Sequence, residues 1–572
     1  MVASQISSGH DWTQYYGNDA PTKIDFSAAN NIASAIETAC LRFANNPALT
    51  AMDATLTYRQ FDRLATRFAA FLQQEIGLKK GDRMAIMMPN VLQFPIAFFA
   101  AQKIGVICVN TNPLYTPREM LHQFSNSGVT AIVIMDLFLD KLEEIVQNTP
   151  IKHIISTSIA DQLPAWKGFS LRAVMHFKKL IPKHSLKIHS FRRALSSSDG
   201  SSLVRPDVTL QDIAVLQYTG GTTGVSKGAM LTHGNILANM QQLRHASWGY
   251  IDEGTEVVLT ALPLYHIFAL TVNLLSFLVL GEHMILVPKP IPISNTVKIF
   301  KKYRITVMTG VNTLYNTITH DNEFKKLGVR TIKFALAGGM ALQETVSQAW
   351  QLITGNRIVE GFGLTESSPV THVNPLGQIP RAGSIGVPVL GTDAMIVNEK
   401  GEPVAPGESG ELIVKGPQIM AGYWQRPEET AATVRDGWLW TGDIAKMDDD
   451  GYFFIVDRKK DMILVSGFNV YPNEIEGVIA SHPKVLEAAV IGLPDTTSGE
   501  SVYAYVVPKD SSLTVEEVRT LCRDQLTGYK RPRHIELRDS LPKSNVGKIL
   551  RRELRDEAMA IRAKAASAGV AT

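Results

Sequence analysis

The chain has 572 residues, more than one core of ordinary size can organise, so several packed units are expected and a small disulfide scaffold or lone binding module is excluded. Hydrophobic residues make up 45% and charged residues 19%, usage that argues against fibrous and disordered classes. The 57 Lys and Arg against 54 Asp and Glu leave a formal charge of +3, which offers nucleic acid no global attraction, and Cys40, Cys108 and Cys522 are too few and too scattered for a disulfide framework or a zinc site.

The three scattered cysteines make a reducing, cytoplasmic setting the expectation, and the opening MVASQISSGHDWTQYYGND is polar and lacks the basic-then-apolar order of a secretory signal. From Arg83 onward, MAIMM at 84–88, VICV at 106–109 and AIVIM at 131–135 alternate with longer helical patterns. That rhythm predicts a parallel sheet in a large α/β domain. Residues Gln162 to Ser198 contain no Asp or Glu but hold Lys167, Arg172, Lys178, Lys179, Lys183, Lys187, Arg192 and Arg193. Interleaved with Trp166, Phe169, Met175, Phe177, Leu180, Ile181 and Phe191, they make a basic amphipathic stretch suited to an anionic membrane surface; a solvated helix packed on the domain is the alternative.

The densest cluster of chemistry follows the apolar IAVLQ: Tyr218-Thr219-Gly220-Gly221-Thr222-Thr223-Gly224-Val-Ser-Lys227-Gly228. Three glycines permit close backbone approach, the hydroxyls donate hydrogen bonds and Lys227 supplies a cation, as a loop around phosphates requires. Ser226 before Lys227 and Gly228 after it exclude a Walker A loop. Val257 to Gly281 carries no formal charge over 25 residues, beyond the ~18 that flags a membrane span. Pro263 splits it into a strand-like and a helical part, and Tyr265 and His266 stand beside the break, so it reads as core.

Near residue 457 the pattern changes from a Gly-rich strand and turn region, Gly383 to Tyr452, to the charged VDRKKD and a compact unit. Pro472 begins a helix with Ile475, Val478 and Ile479 on one face, EAAVIGL and YAYVV read as strands, and Thr514 with Glu517 makes a capping box for VEEVRTLCRDQL. The division expected is a large domain over 1–456, a junction at 457–460 and a small α+β domain over 461–572, with the Ala-rich end after Met559 loose.

At the Tyr218 to Gly228 loop the sequence resembles the adenylate-forming superfamily of acyl-CoA synthetases, adenylation domains and luciferases. Further motifs follow in order: AGGM at 337–340, EGFGLTES at 360–367, Trp440-Thr-Gly-Asp443, Asp457-Arg-Lys-Lys460 and Leu541-Pro-Lys-Ser-Asn-Val-Gly-Lys548. The resemblance covers almost the whole chain. It implies a large N-terminal α/β domain of several subdomains and a small, mobile C-terminal α+β domain. The stretch 436–476, with LTGYKRPR and LPKSNVGKILRRELRDEA, is most similar to bacterial long-chain fatty acid CoA ligases.

The resemblance implies ATP, Mg²⁺ and coenzyme A. Residues 218–224 and Lys227 would hold phosphates; Gly338, Gly339, Glu360, Gly361, Phe362 and Gly363 would form the adenine pocket, with Phe362 where relatives usually have Tyr. Thr365 would bond the α-phosphate, and Glu366 is suited to hold Mg²⁺ against the triphosphate. Asp443 would accept both ribose hydroxyls, Arg458 would contact ribose or phosphate, and Lys548 would reach the carboxylate and α-phosphate oxygens. Lys460 would be the hinge, and Gly467 would line a pantetheine tunnel, preceded by Leu464, Val465 and Ser466 where many relatives carry Lys. Trp440 replaces a His or basic residue. Tyr265, His266, Phe268 and Val311 would line the acyl site. The expected partners are a fatty acid and, peripherally, the inner face of the cell membrane; no nucleic acid is expected, and a homodimer is compatible. Loading of a separate carrier protein, ligation of medium-chain or aryl acids, and a lipid-binding protein without activity stay open as alternatives.

Overall fold

Strand Arg83–Met87 lies in parallel between Ile107–Asn110 and Ala131–Met135, and both neighbours are buried throughout. A strand covered on both faces has no need of alternation, which is why these segments read as unbroken apolar runs. The computed structural model describes residues 12–16, 20–219, 226–495, 497–544 and 547–567. Gly220, Gly221, Thr222, Thr223 and Gly224 of the phosphate-loop motif lie outside the described residues.

Four sheets organise the described residues. One, of eight strands, runs from Gly422–Tyr423 through the hairpin Lys227–Thr232 and Ile213–Thr219 into the parallel run above. A nine-stranded sheet holds Phe334–Ala337 and Ile358–Gly363 side by side and parallel. Both contribute to one continuous apolar core, in which every residue of helix Gln93–Lys103 is buried. The uncharged segment 257–281 becomes strand Val257–Thr260, a break at Pro263 and the helical turns Phe268–Ser276 and Phe277–Val279, most of it buried. Among the described residues no helix is long and apolar enough to cross a membrane.

A five-stranded sheet ends the large domain. Its long strand Trp438–Met447 pairs with Phe453–Arg458, setting Asp443 opposite Arg458. The small domain's first strand, Ile463–Val465, starts five residues after Arg458. There Pro472 opens helix Pro472–Ala480, Thr514 and Glu517 form their reciprocal cap, and Val485–Asp495 pairs antiparallel with Gly499–Pro508. Where the sequence led us to expect a loose end after Met559, helix Arg551–Ser567 continues through it. Alanine is the strongest helix former, Leu554 and Ala558 share a buried cluster with Ala489 and Tyr505, and Arg562 bonds the Tyr503 hydroxyl at 2.6 Å, so the helix is anchored as far as Arg562.

Candidate active site

Three walls meet at the site, the first of them the hairpin. Thr219 stands opposite Lys227, while Tyr218 turns the other way: its ring lies against Gly228 and its hydroxyl donates to Asn126 Oδ1 at 2.6 Å. Tyr218 thus braces the hairpin from behind. The Lys227 ammonium lies 5.1 Å from the ring centre of Tyr423, whose hydroxyl donates to Glu366 Oε1 at 2.7 Å. Tyr423 is held there because Gly422–Tyr423 pairs with Met230 and Ala229 of the hairpin's second strand.

The second wall is built at the carboxyl ends of the parallel strands, where ligands of α/β sheets are received. Gly339 has φ +81°, and a Cβ on it would lie 3.2 Å from Lys548 Cε. At Gly363 a Cβ would fall 1.9 Å from the Pro369 carbonyl oxygen, so no side chain fits there. Phe268 lies against Gly338, and Val311 lies near both Gly339 and Gly547. Phe362 meets the ring of His372 at 6.2 Å, and Thr365 opens the short turn Thr365–Ser367 that carries Glu366. Gly361 sits opposite Val373 on the neighbouring antiparallel strand.

Glu360 is buried one residue earlier, with the Leu342 N–H at 3.5 Å from its Oε1, and burial pushes its carboxyl up to about 8. A folded-state value raised from 4.5 means that Glu360 contributes stability fully below about pH 4.5 and loses it as pH rises through about 8. Glu360→Gln cannot ionise. Its melting temperature is therefore expected to gain on that of the parent between about pH 5 and about pH 8.5 in thermal melts. A constant difference across that range would refute the assignment.

The third wall comes from the end of the large domain and from the small domain. Arg458 Nε lies 3.1 Å from Asp443 Oδ1, while Asp443 Oδ2 is buried and has no hydrogen-bond partner. Burial raises the Asp443 carboxyl, and Arg458, Lys460 and Lys548 oppose the rise. Lys548 follows Gly547, whose carbonyl accepts from Thr313 Oγ1 at 3.4 Å. Burial lowers the Lys548 ammonium to about 8; Arg458 and Lys460 act in the same direction, Asp443 and Glu366 against it. Burial also lowers Lys460 to about 8 and, with Lys548 nearby, His266 to about 3, so that ring stays neutral beside the lysine. Tyr265, next to it, accepts from Gln217 Nε2 through its carbonyl at 2.9 Å. Gly467 is not brought here. It occupies the exposed tip of the hairpin Ile463–Val465 and Phe468–Val470, with open space around it.

Several participants escaped the sequence reading. Tyr423 links Lys227 to Glu366, and Glu411 accepts from the Gly442 N–H at 3.2 Å and pairs with Lys459 at 2.9 Å. Trp440 packs under the Arg435 guanidinium, 4.3 Å from the ring centre, on the wall of a cavity of about 260 Å³ that Glu366, Glu411, Tyr423 and Lys459 also line. Arg551 of the small domain reaches Asp457 at 3.4 Å and Glu476 at 2.7 Å, and the Asn473 N–H donates to Asp457 Oδ2 at 2.8 Å. Trp440 stands out as a departure from the motif, whereas nothing in the sequence marks Tyr423.

The residues fit the groups the resemblance implies. An unpartnered, buried Asp443 oxygen awaits donors of the ribose hydroxyl kind. Among the described residues no cluster of three or more His, Cys, Asp or Glu forms. The single carboxylate of Glu366 therefore suits a Mg²⁺ that takes most of its oxygens from phosphates and water.

A cationic cradle closed by a lysine from a second domain defines an enzyme that handles a polyanionic nucleotide. The chain belongs to the AMP-binding enzymes: that family matches residues 36–424, and the AMP-binding enzyme C-terminal domain matches residues 474–548. It is 50% identical over 549 residues to a long-chain-fatty-acid–CoA ligase of Escherichia coli strain CFT073, covering 96% of this chain and 98% of the relative. A long-chain-fatty-acid–CoA ligase of Yersinia pestis is 51% identical over 548 residues, with the same coverage of each. Among solved structures, ATP-bound MatB from Rhodopseudomonas palustris superposes with a TM-score of 0.81 at 27% identity, over 92% of this chain and 99% of that one.

Proposed function

We propose that this enzyme joins a long-chain fatty acid to coenzyme A in two half-reactions. In the first, a carboxylate oxygen of the acid attacks the α-phosphorus of ATP and the bond to the β-phosphate oxygen breaks, giving acyl-AMP and pyrophosphate. In the second, the coenzyme A sulfur, having lost its proton, attacks the acyl carbon and AMP leaves with the bonding electrons. The observation that carries this reading is Lys548, supplied by the small domain and set among Asp443, Arg458 and Glu366.

Lys548 neutralises charge on the acid and α-phosphate as they approach, Thr365 orients the α-phosphate, and Lys227 holds the departing phosphates. Bound at Glu366, Mg²⁺ would supply positive charge to the triphosphate. Asp443 fixes the ribose through its free oxygen, and Arg458 holds the other oxygen in place. Phe362 offers adenine a flat face, with Gly338 and Gly339 leaving room for the purine. Phe268 and Val311 begin an apolar acyl site in which each buried CH₂ adds ~0.8 kcal/mol, and neutral His266 presents no charge to it. Residues 1–456 and 461–572 act as the two bodies, with Lys460 as the pivot that withdraws Lys548 and lets Gly467 line the coenzyme A path.

The fatty acid is an amphiphile, and we place the enzyme peripherally on the inner, anionic face of the cell membrane. The test of substrate class is acyl-CoA formation across saturated acids from butyrate to stearate and a set of aryl acids. The expected kcat/KM for palmitate exceeds that for butyrate at least about 10²-fold, because a dozen further CH₂ groups are buried. An aryl acid outperforming every fatty acid would overturn the reading, as would release of acyl-AMP with no thioester when coenzyme A is present.

A further inference from the structure

We propose that helix Ala165–Phe177 and the basic segment after it are the surface by which this enzyme docks on an anionic lipid bilayer; the assignment rests on the peripheral placement above and names the surface that performs it. The helix turns its small and flexible residues inward. Gly168 and Met175 are buried, and Gly168 runs so close to the domain that a Cβ would lie 3.0 Å from the Ala160 carbonyl oxygen. At 100° per residue, Trp166, Ala173 and Phe177 fall together on the opposite side, with Phe169 beside them. Trp166 is 69% exposed, Phe169 77% and Phe177 88%. An ordinary amphipathic helix hides its apolar face and shows a polar one, whereas this one shows solvent three large aromatic rings.

Charge completes the surface. Two of the basic residues fasten the helix down, Arg172 to Asp161 at 2.6 Å and Lys167 to Asp53 at 2.9 Å. Lys179 ends the helix in a left-handed turn at φ +51°, with the Leu180 N–H on the Met175 carbonyl at 2.9 Å. Beyond that turn the chain carries exposed Lys178, Lys179, Lys183, Lys187, Arg192 and Arg193 beside exposed Leu180, Ile181 and Ile188. Among the described residues none of these six cations is in an ion pair with a carboxylate. Aromatic rings that enter the interfacial zone, flanked by lysines and arginines that meet anionic headgroups, are the chemistry of a helix lying in the plane of a membrane. A second copy of this chain is a poor occupant, because pairing the face with itself would bring two sets of unpaired cations together.

The test is co-sedimentation of the full chain with vesicles of phosphatidylcholine alone and with added phosphatidylglycerol, at low and high salt. The parent is expected to bind the anionic vesicles and to release them as salt rises. Trp166→Ser with Phe169→Ser and Phe177→Ser, and separately Lys178→Glu with Lys179→Glu, Lys183→Glu and Lys187→Glu, should each weaken that binding at least about tenfold. Turnover of a short, water-soluble acid should be unchanged and so report intact folding. Parent and both variants binding alike would overturn the surface while leaving the peripheral placement standing. No binding by the parent would overturn both. Variants that lose self-association yet bind vesicles like the parent would overturn it in favour of a second copy.

Discussion

Lys548→Ala is expected to lose roughly 10² or more in acyl-adenylate formation, the scale for one oriented charge acting on a developing oxyanion. The neighbouring Arg458 guanidinium is already committed to Asp443 at 3.1 Å. Pyrophosphate exchange into ATP reads this half-reaction, and thioester formation from supplied acyl-AMP reads the other, which should survive. Equal loss in both would sink the assignment. The same lysine sets a pH limb. Because burial lowers it to about 8, kcat/KM for adenylation should fall above about pH 8 as the free enzyme loses that proton. Lys548→Arg, slower but charged throughout, should move the limb upward.

Lys460→Pro should retain pyrophosphate release and acyl-AMP formation while slowing transfer to coenzyme A by roughly 10² or more, the penalty of an acceptor held out of place. The last backbone bond to the large domain runs from the Lys459 N–H to the Gly442 carbonyl at 2.9 Å, and the Asp461 and Met462 N–H groups both return to the Arg458 carbonyl. Few backbone bonds therefore resist a turn at 459–462. Rotation must lift Lys548 from beside Gly339 and part Gly547 from Thr313. Proline holds φ near −65° and removes one of the two dihedrals through which Lys460 could absorb that motion. Single-turnover measurement of each step on the same preparation separates them, and normal transfer by a folded variant would show that the pivot lies elsewhere.

Much of this was legible from local signals. Unbroken apolar runs announced the parallel strands and Pro472 and the Thr514 cap marked helix starts, while Glu366, Asp443 and Lys548 were singled out by the family resemblance of their motifs. What stayed hidden depends on distant partners. Nothing near Tyr423 indicates that its hydroxyl is bound to a carboxylate 57 positions earlier. Arg551, in the basic run ILRREL, reads as a solvated side chain until the fold brings Glu476 and Asp457 to it. Tyr218 belongs to the phosphate-loop motif, yet β alternation sends its ring away from Thr219. The stretch 162–198 left two readings open from composition, and only the burial of Gly168 and Met175 shows which way Trp166, Phe169 and Phe177 point.

The grip of Arg551 and the Asn473 N–H on Asp457 bears on how the two half-reactions share one chain. Asp457 is buried in the last strand that pairs with the large domain, and apart from the neighbouring Arg458 N–H its partners ride on the small one. Burial already pushes that carboxyl up to about 6 against the pull of Arg551, so taking the guanidinium away would leave a charge the interior tolerates poorly, a loss of order a few kcal/mol. On the proposed rotation about Lys460 the two shapes would be unequal wells. The chain would rest in the one that makes acyl-AMP, and the thioester shape would persist only while water or another cation answers Asp457. A lid weighted in this way would fall shut again by itself once coenzyme A had departed with its acyl group, ready for the next acid.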